Sequence, residues 1–327
     1  MAKLDANVYV TRAIPKPGID LVVDACTHVE VNPEDRVLAR DELLEAVRGR
    51  DGVLCLLTDT IDAAVLDAAK GARVFANYAV GYNNIDVAAA TARRIAVTNT
   101  PGVLTDATAD LTWALLFATA RRIPEGDRYT RAGRFTGWSP MLLLGGDISG
   151  RTLGIVGAGR IGTAVALRSR GFRMRVLYSD KVQNEALEQA VGAERVDLDT
   201  LLRESDFVCV HVSLDATTRH LIGARELALM KPTAYLVNTS RGPVVDEAAL
   251  VEALRRQRIA GAGLDVFEDE PALAAGLAEL DNAVIPPHLG SATIGTRTRM
   301  ATLAATNLLA ALRGERPPNI VNPEVLG

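Results

Sequence analysis

The sequence predicts an α/β protein of two doubly wound domains, each built on a mainly parallel sheet, with a cleft between them. Three observations carry this. Up to about residue 99, short apolar runs alternate with helical stretches, and from Thr152 the alternation starts again. The restart opens on Gly157, Gly159 and Gly162, spaced as a strand-to-helix turn. Strands alternating with helices imply crossover units, and so a parallel sheet with helices on its faces.

Taken in order, the first half offers strands at Val8–Thr11, His28–Val31, Val53–Leu57, Val74–Asn77 and Ala96–Thr98. Helices are expected at Gly18–Ala25, Arg40–Val47, Ala63–Lys70 and Asp86–Arg93. Pro101-Gly102 breaks the pattern, and a helix follows from about Leu104 to Arg121. Arg131 to Gly150, rich in glycine and apolar residues, reads as an irregular connecting arm. Strands then recur at Leu153–Val156, Arg175–Tyr178, Phe207–Val210, Ala234–Asn238, Gly261–Leu264 and Ala283–Ile285. A last helix, about Ser291 to Leu312, is expected to cross back so that the tail completes the first domain. The division is therefore residues 1–100 plus about 291–327, and about 101–290 with the arm near 121–150. Ligands favour domain clefts and the carboxyl ends of parallel strands.

The glycine turn states its own chemistry. Gly157 permits the tight turn, Gly159 lets backbone approach a pyrophosphate, and Gly162 lets the helix pack on the strand. Free N–H groups and the helix dipole at Arg160 onward would favour the phosphates. Asp180 follows the next strand, near the spacing of a carboxylate that binds a ribose hydroxyl. The turn, its strand–helix context and Asp180 together indicate a Rossmann-like dinucleotide site.

Bulk composition narrows the class. Of 327 residues, 48% are apolar and 23% charged, which fits a globular enzyme rather than a disordered or fibrous chain. The net charge of -4 gives no basic surplus for a nucleic-acid partner. The start, Met1-Ala-Lys-Leu-Asp-Ala, has no apolar leader core, and no run reaches membrane-span length. Leu111 to Ala120 reads as a buried helix. Cys26, Cys55 and Cys209 include no C-x-x-C pair; they read as small core residues in a reducing compartment, the cytoplasm.

Hydride chemistry would need a proton shuttle and an anion-binding cation. His288, in Ile285-Pro-Pro-His-Leu-Gly290, sits at a strand's carboxyl end. Position alone leaves it between a proton shuttle and a hydrogen-bonded loop histidine. His28, His211 and His220 read as structural. Arg241 ends the stretch Ala234 to Gly242, where it is either a fork for a carboxylate and a carbonyl oxygen or a surface residue. Glu270 lies in Asp265-Val-Phe-Glu-Asp-Glu-Pro271; a carboxylate bonded to a histidine fixes its tautomer and favours the imidazolium. Glu268 and Asp269 read as a solvated loop.

Several segments together resemble the D-isomer-specific 2-hydroxyacid dehydrogenases, closest to the glyoxylate and hydroxypyruvate reductases among them. They are Asn77-Tyr-Ala-Val-Gly-Tyr-Asn-Asn-Ile-Asp86, Asn99 to Asp110, Gly154 to Gly162, Val237-Asn-Thr-Ser-Arg-Gly242, Gly263 to Pro271 and Pro287-His-Leu-Gly-Ser-Ala292. The resemblance runs over nearly the whole chain. It implies that the family's catalytic arginine, glutamate and histidine fall on Arg241, Glu270 and His288. It places the substrate carboxylate on backbone N–H groups near Val80 and Gly81. The same resemblance sets the pyrophosphate against Arg160 and Ile161, the ribose at Asp180 and the carboxamide at Asp265. Val212, Thr239, Ser240, Leu289 and Gly290 would line the cofactor. Residues 1–100 with the tail would then bind substrate, and the middle would bind NAD(P). Trp138 resembles an arm residue that reaches the neighbouring subunit's pocket, so a homodimer is expected. Leu56, Leu57 and Trp138 would shape a small pocket. The pattern departs at Ser213, where many members carry proline.

The expected reaction is reduction of a small 2-oxo acid, glyoxylate or hydroxypyruvate, with His288 as acid/base. Asp180 favours NAD(H), because a carboxylate accepts from a 2′-hydroxyl and repels a 2′-phosphate; Lys181 beside it keeps NADP(H) as the alternative. No metal is expected. Formate dehydrogenases carry glutamine in place of Glu270, and phosphite dehydrogenases a lysine near Val80. A phosphoglycerate-type enzyme would need extra cations, and often has a regulatory extension that is not expected past Gly327. A D-lactate-type enzyme, or an NADH-sensing corepressor on the same fold, stays open.

Overall fold

The computed structural model describes residues 3–326; Met1, Ala2 and Gly327, which belong to the expected first domain, lie outside the described residues. The first elements are β1 (Leu4–Val10), α1 (Lys16–Ala25), β2 (Cys26–Val31), α2 (Arg40–Ala46), β3 (Gly52–Cys55), α3 (Ala63–Ala68), β4 (Val74–Asn77), α4 (Val87–Ala92) and β5 (Ala96–Thr98). Helices α5 (Thr105–Ala120) and α6 (Ile123–Arg131) lead to β6 (Thr152–Val156), α7 (Arg160–Arg168), β7 (Arg175–Ser179), α8 (Glu185–Val191) and β8 (Glu194–Arg195). Then come α9 (Leu198–Glu204), β9 (Phe207–Val210), α10 (Ala224–Leu229), β10 (Tyr235–Asn238), α11 (Glu247–Arg255), β11 (Gly261–Leu264), β12 (Ala283–Val284) and α12 (Ile294–Leu312). The chain forms two compact units, one of residues 1–104 and 291–327, the other of 105–290.

The first unit holds a parallel sheet ordered β2-β1-β3-β4-β5. This is the flavodoxin-like order, whose direction of winding reverses between β1 and β3. Strands β3 and β4 are buried along their whole length, as apolar runs in a two-sided sheet should be. Helices α3 and α4 start on capping aspartates: Asp62 accepts from Val65 N–H and Asp86 from Ala89 N–H. Helix α12 packs on α1, where a side chain at Gly18 would collide with Ala301. The tail then adds an antiparallel bridge from Ile320 to Thr98.

The second unit is a seven-stranded parallel sheet ordered β12-β11-β10-β9-β6-β7-β8. Its winding reverses between β6 and β9, the crevice where doubly wound sheets bind ligands. One apolar core contains Leu153 and Ile155 of β6 with Trp113 and Leu116 of α5; the other contains Val156 with Leu236, Leu250 and Leu264. Alternate residues of one strand thus feed opposite faces.

The fold class and most strands match the sequence reading, with β4, β5, β9 and β11 at the expected bounds. Helices α8 to α11 fill the alternation that the strands implied, without bounds having been assigned to them, and α6 and β8 depart from it. Helix α6 lies inside the expected arm, buries no residue and is strongly polar overall, so no apolar run announces it. The two residues of β8 are exposed and too few to show a period.

Candidate active site

Every candidate residue of the second unit's strands lies at or just beyond a strand's carboxyl end, or on the helix that follows. After β6, Gly157 takes φ +94, and a side chain there would press on Val212 at the end of β9, across the switch point. A Cβ on Gly162 would collide with the Gly157 carbonyl. Gly159 is different: its Cβ would meet nothing within 4 Å, and it is the N-cap of α7 with no side-chain cap. The first N–H groups of α7, from Arg160 and Ile161, are thus left for an anion. Open space over an uncapped helix start fits a dinucleotide pyrophosphate. Asp180 Oδ2 accepts from Ala158 N–H at 2.8 Å and Oδ1 from Val182 N–H at 3.1 Å, so the acid is locked to the glycine turn. Arg195 donates to the Asp180 and Lys181 carbonyls, each at 2.9 Å.

Around the next strand ends sit Arg241, Glu270 and His288. The Nδ1–H of His288 donates to Glu270 Oε2 at 3.0 Å. Glu270 Oε1 accepts from Phe267 N–H at 3.0 Å. Burial alone would raise the Glu270 carboxyl; the hydrogen bond and charge of His288, the Phe267 N–H and the charge of Arg241 outweigh it, and the group is held below its ordinary range. Burial draws the Arg241 guanidinium downward, opposed by the charge of Glu270. With Nδ1 committed to the carboxylate, Nε2 of His288 is the nitrogen left to exchange a proton.

The segments that carry the trio are tied together in part by side chains to which the sequence reading gave no role, Asn238, Thr108 and Thr112. Asn238, buried at the end of β10, accepts from Ser240 N–H (3.0 Å) and Oγ–H (2.8 Å) and donates to the Arg241 carbonyl (3.0 Å). Gly242 must be glycine, because a side chain would collide with the Phe267 carbonyl. Glu268 corrects the expectation of a solvated loop. It pairs with His220 Nε2 at 2.5 Å and Arg219 at 3.2 Å, and is only 17% exposed. Buried Asp265 accepts from Leu289 N–H (2.6 Å) and Gly290 N–H (2.8 Å), which anchors the turn that follows His288 at φ +53. Burial pushes the Asp265 carboxyl up, against those N–H groups and the charge of His288. From α5, Thr108 donates to the Gly290 carbonyl and Thr112 pairs with Thr239 at 2.9 Å. Their i, i+4 spacing on a buried helix face was the available signal. The His211 ring is desolvated, its basicity lowered to about 3, so it stays neutral; the Ser213 carbonyl accepts from Thr218 Oγ–H at 2.6 Å.

In the first unit, Leu57 lies just past β3 and half-buried Val80 and Gly81 just past β4. The Leu56–Leu57 turn is held by Asp59, which accepts from Leu56 N–H at 2.8 Å and Thr11 Oγ–H at 2.5 Å. Asn84 donates to the Leu56 and Asp59 carbonyls at 3.1 Å. Trp138, in the second unit's arm, is 85% exposed. Among the described residues no cluster of His, Cys, Asp or Glu could hold a metal ion, and no helix is long and apolar enough to cross a membrane.

The family profile described as "D-isomer specific 2-hydroxyacid dehydrogenase, NAD binding domain" matches residues 113–290. The chain is 52% identical over 324 residues to the glyoxylate reductase of Thermococcus gammatolerans, covering 98% of this chain and 97% of that one. Among solved structures, the TT0316 protein from Thermus thermophilus superposes with a TM-score of 0.90 at 48% identity, covering 96% of this chain and 99% of that one. The NADPH-dependent glyoxylate/hydroxypyruvate reductase of Sinorhizobium meliloti, in complex with NADP and malonate, gives a TM-score of 0.86 at 32% identity, with 98% and 97% covered.

Proposed function

Because this chain belongs to the D-isomer-specific 2-hydroxyacid dehydrogenases, we propose that it reduces glyoxylate and hydroxypyruvate, with Arg241, Glu270 and His288 as its catalytic residues. One observation carries the reading: the His288–Glu270 pair at 3.0 Å, whose carboxylate also feels the charge of Arg241. A nicotinamide dinucleotide, when bound, supplies the hydride that reaches the carbonyl carbon of the 2-oxo acid. The chain does the rest. His288, as imidazolium held by Glu270, gives its Nε2 proton to the oxygen that becomes the hydroxyl. The Arg241 guanidinium and the N–H groups near Val80 and Gly81 orient the carboxylate, so that little freedom is left to lose at the transition state.

The first unit is assigned to substrate and the second to the dinucleotide, along Gly157–Gly162, Asp180, Val212, Thr239, Ser240, Asp265, Leu289 and Gly290. Asp180 favours NAD(H); Lys181 and Arg195 in the same turn leave room for NADP(H), the carrier bound by the Sinorhizobium meliloti relative. Three buried free cysteines fit the reducing cytoplasm. The arm, with Trp138 exposed, is assigned to a homodimer.

The test is NADH oxidation against glyoxylate, hydroxypyruvate, pyruvate, phenylpyruvate and 3-phosphohydroxypyruvate, repeated with NADPH. Fast turnover of the two smallest polar acids is expected. Tight NADH binding without turnover across the panel would turn the reading to a dinucleotide sensor.

A further inference from the structure

Within the first unit, three consecutive carbonyls after β4 are each held by a donor. The Ala79 carbonyl accepts from Thr100 N–H at 2.8 Å. The Val80 carbonyl accepts from Asn99 Nδ2 at 2.8 Å, and the Gly81 carbonyl from Asn77 Nδ2 at 3.0 Å. A trans peptide sets its C=O and the following N–H on opposite sides of one plane. Pinning these carbonyls therefore fixes the direction of the Val80, Gly81 and Tyr82 N–H groups. None of these three N–H groups has a hydrogen-bond partner among the described residues. Successive backbone N–H groups without an internal acceptor are donors available to an anion.

The two asparagines are themselves braced. Asn77 is fully buried at the end of β4, and its Nδ2 also reaches Asn84 Oδ1 at 3.1 Å. Asn99 follows β5; its N–H donates to the Asn319 carbonyl at 3.2 Å, and its carbonyl accepts from Asn307 Nδ2 at 2.9 Å. Asn307 is fully buried in α12 and accepts from Asn319 N–H at 3.0 Å. The returning helix thus holds Asn99, and Asn99 holds the loop.

We propose that Asn99 and Asn77 are positioning residues that aim the Gly81 and Tyr82 N–H groups at the substrate carboxylate. This rests on the reading of the Val80–Gly81 loop as the carboxylate site. The asparagines touch no substrate; they fix the donors that do.

The test uses the full chain with glyoxylate as substrate and oxalate as an unreactive anion probe. Asn99→Ala is expected to raise KM for glyoxylate about tenfold, and the Kd of oxalate with NADH bound in parallel, with kcat within about twofold and NADH affinity unchanged. Asn99→Asp is expected to be worse at neutral pH, because a carboxylate beside the Val80 carbonyl repels it. Its KM should recover as pH falls, since a protonated carboxyl donates an O–H to that carbonyl. Asn77→Asp gives the same recovery at the second position if Asn99 variants fold poorly. Loss of kcat at an unchanged KM, or no recovery in acid for either aspartate variant, overturns the proposal. A second measurement separates it from the reading beneath it. Gly81-Tyr82 is the only Gly-Tyr pair in the chain, so carbonyl-13C glycine with 15N tyrosine reports one amide. If oxalate shifts that signal in the wild type but the variants keep wild-type KM, the positioning role fails while the site stands. If oxalate leaves the signal unmoved, the site reading itself fails.

Discussion

Glu270 shows how one side chain settles a question that its neighbours in sequence leave open. It shares an acidic run with Glu268 and Asp269, and nothing in their order assigns separate tasks. Their partners do. Glu268 pairs with His220 and Arg219, whereas Glu270 reaches His288 and is held below its ordinary range. A lowered native carboxyl adds stability that is present above its unfolded range and is lost as pH falls through the native one. Glu270 therefore stays ionised into acid, and reduction is expected to persist there until pH falls through its native range. Glu270→Gln removes the charge that holds the His288 ring, and kcat at neutral pH should drop on the order of tenfold to a hundredfold. A variant that keeps the wild-type kcat would sink the assignment.

At the scale of elements, the β6–α7 junction separates glycines that serve packing from one that serves a ligand. Gly162→Ala drives a methyl into the Gly157 carbonyl, so a lowered Tm is expected, by several degrees. Gly159→Ala meets nothing within 4 Å, and its φ of -71 suits any residue. That variant should keep its Tm yet bind NADH about tenfold more weakly, read by nicotinamide fluorescence, because the methyl takes the space kept for the pyrophosphate. Full NADH affinity in Gly159→Ala would contradict the cofactor reading. The strands at this junction were legible because two-sided burial demands apolar runs bounded by turns. Helix α6 was not, because its residues are mostly polar and none is buried, so no apolar run marks it; only its Arg122–Glu125 pair and Pro124 mark its start.

At the scale of the whole molecule, Val182 and Ile294 are exposed singly, whereas a group of exposed apolar side chains lies in one stretch of chain. Ile123, Phe135, Trp138, Met141 and Leu144 are all large and more than half exposed. Apolar groups concentrated on one segment mark an interaction surface. Sedimentation is expected to show twice the chain mass. Joint substitution of Trp138→Ser and Met141→Ser should shift it toward the monomer without unfolding either unit. A wild-type monomer at micromolar concentration would refute the homodimer.

The α/β class, two doubly wound sheets and the glycine turn are legible in the order of residues, because they follow from local periods and from backbone conformations that few residues can adopt. That order also carries the residue types of the trio, through motifs whose spacing survives in the chain. Which polar groups meet is set by the folded chain: Asn99 with the Val80 carbonyl, Thr108 with Gly290, Asp265 with the turn after His288, Glu268 with His220. Such pairs join segments far apart in the chain. A lone asparagine or threonine carries no period, and its value is set by the buried donor or acceptor that the fold brings to it.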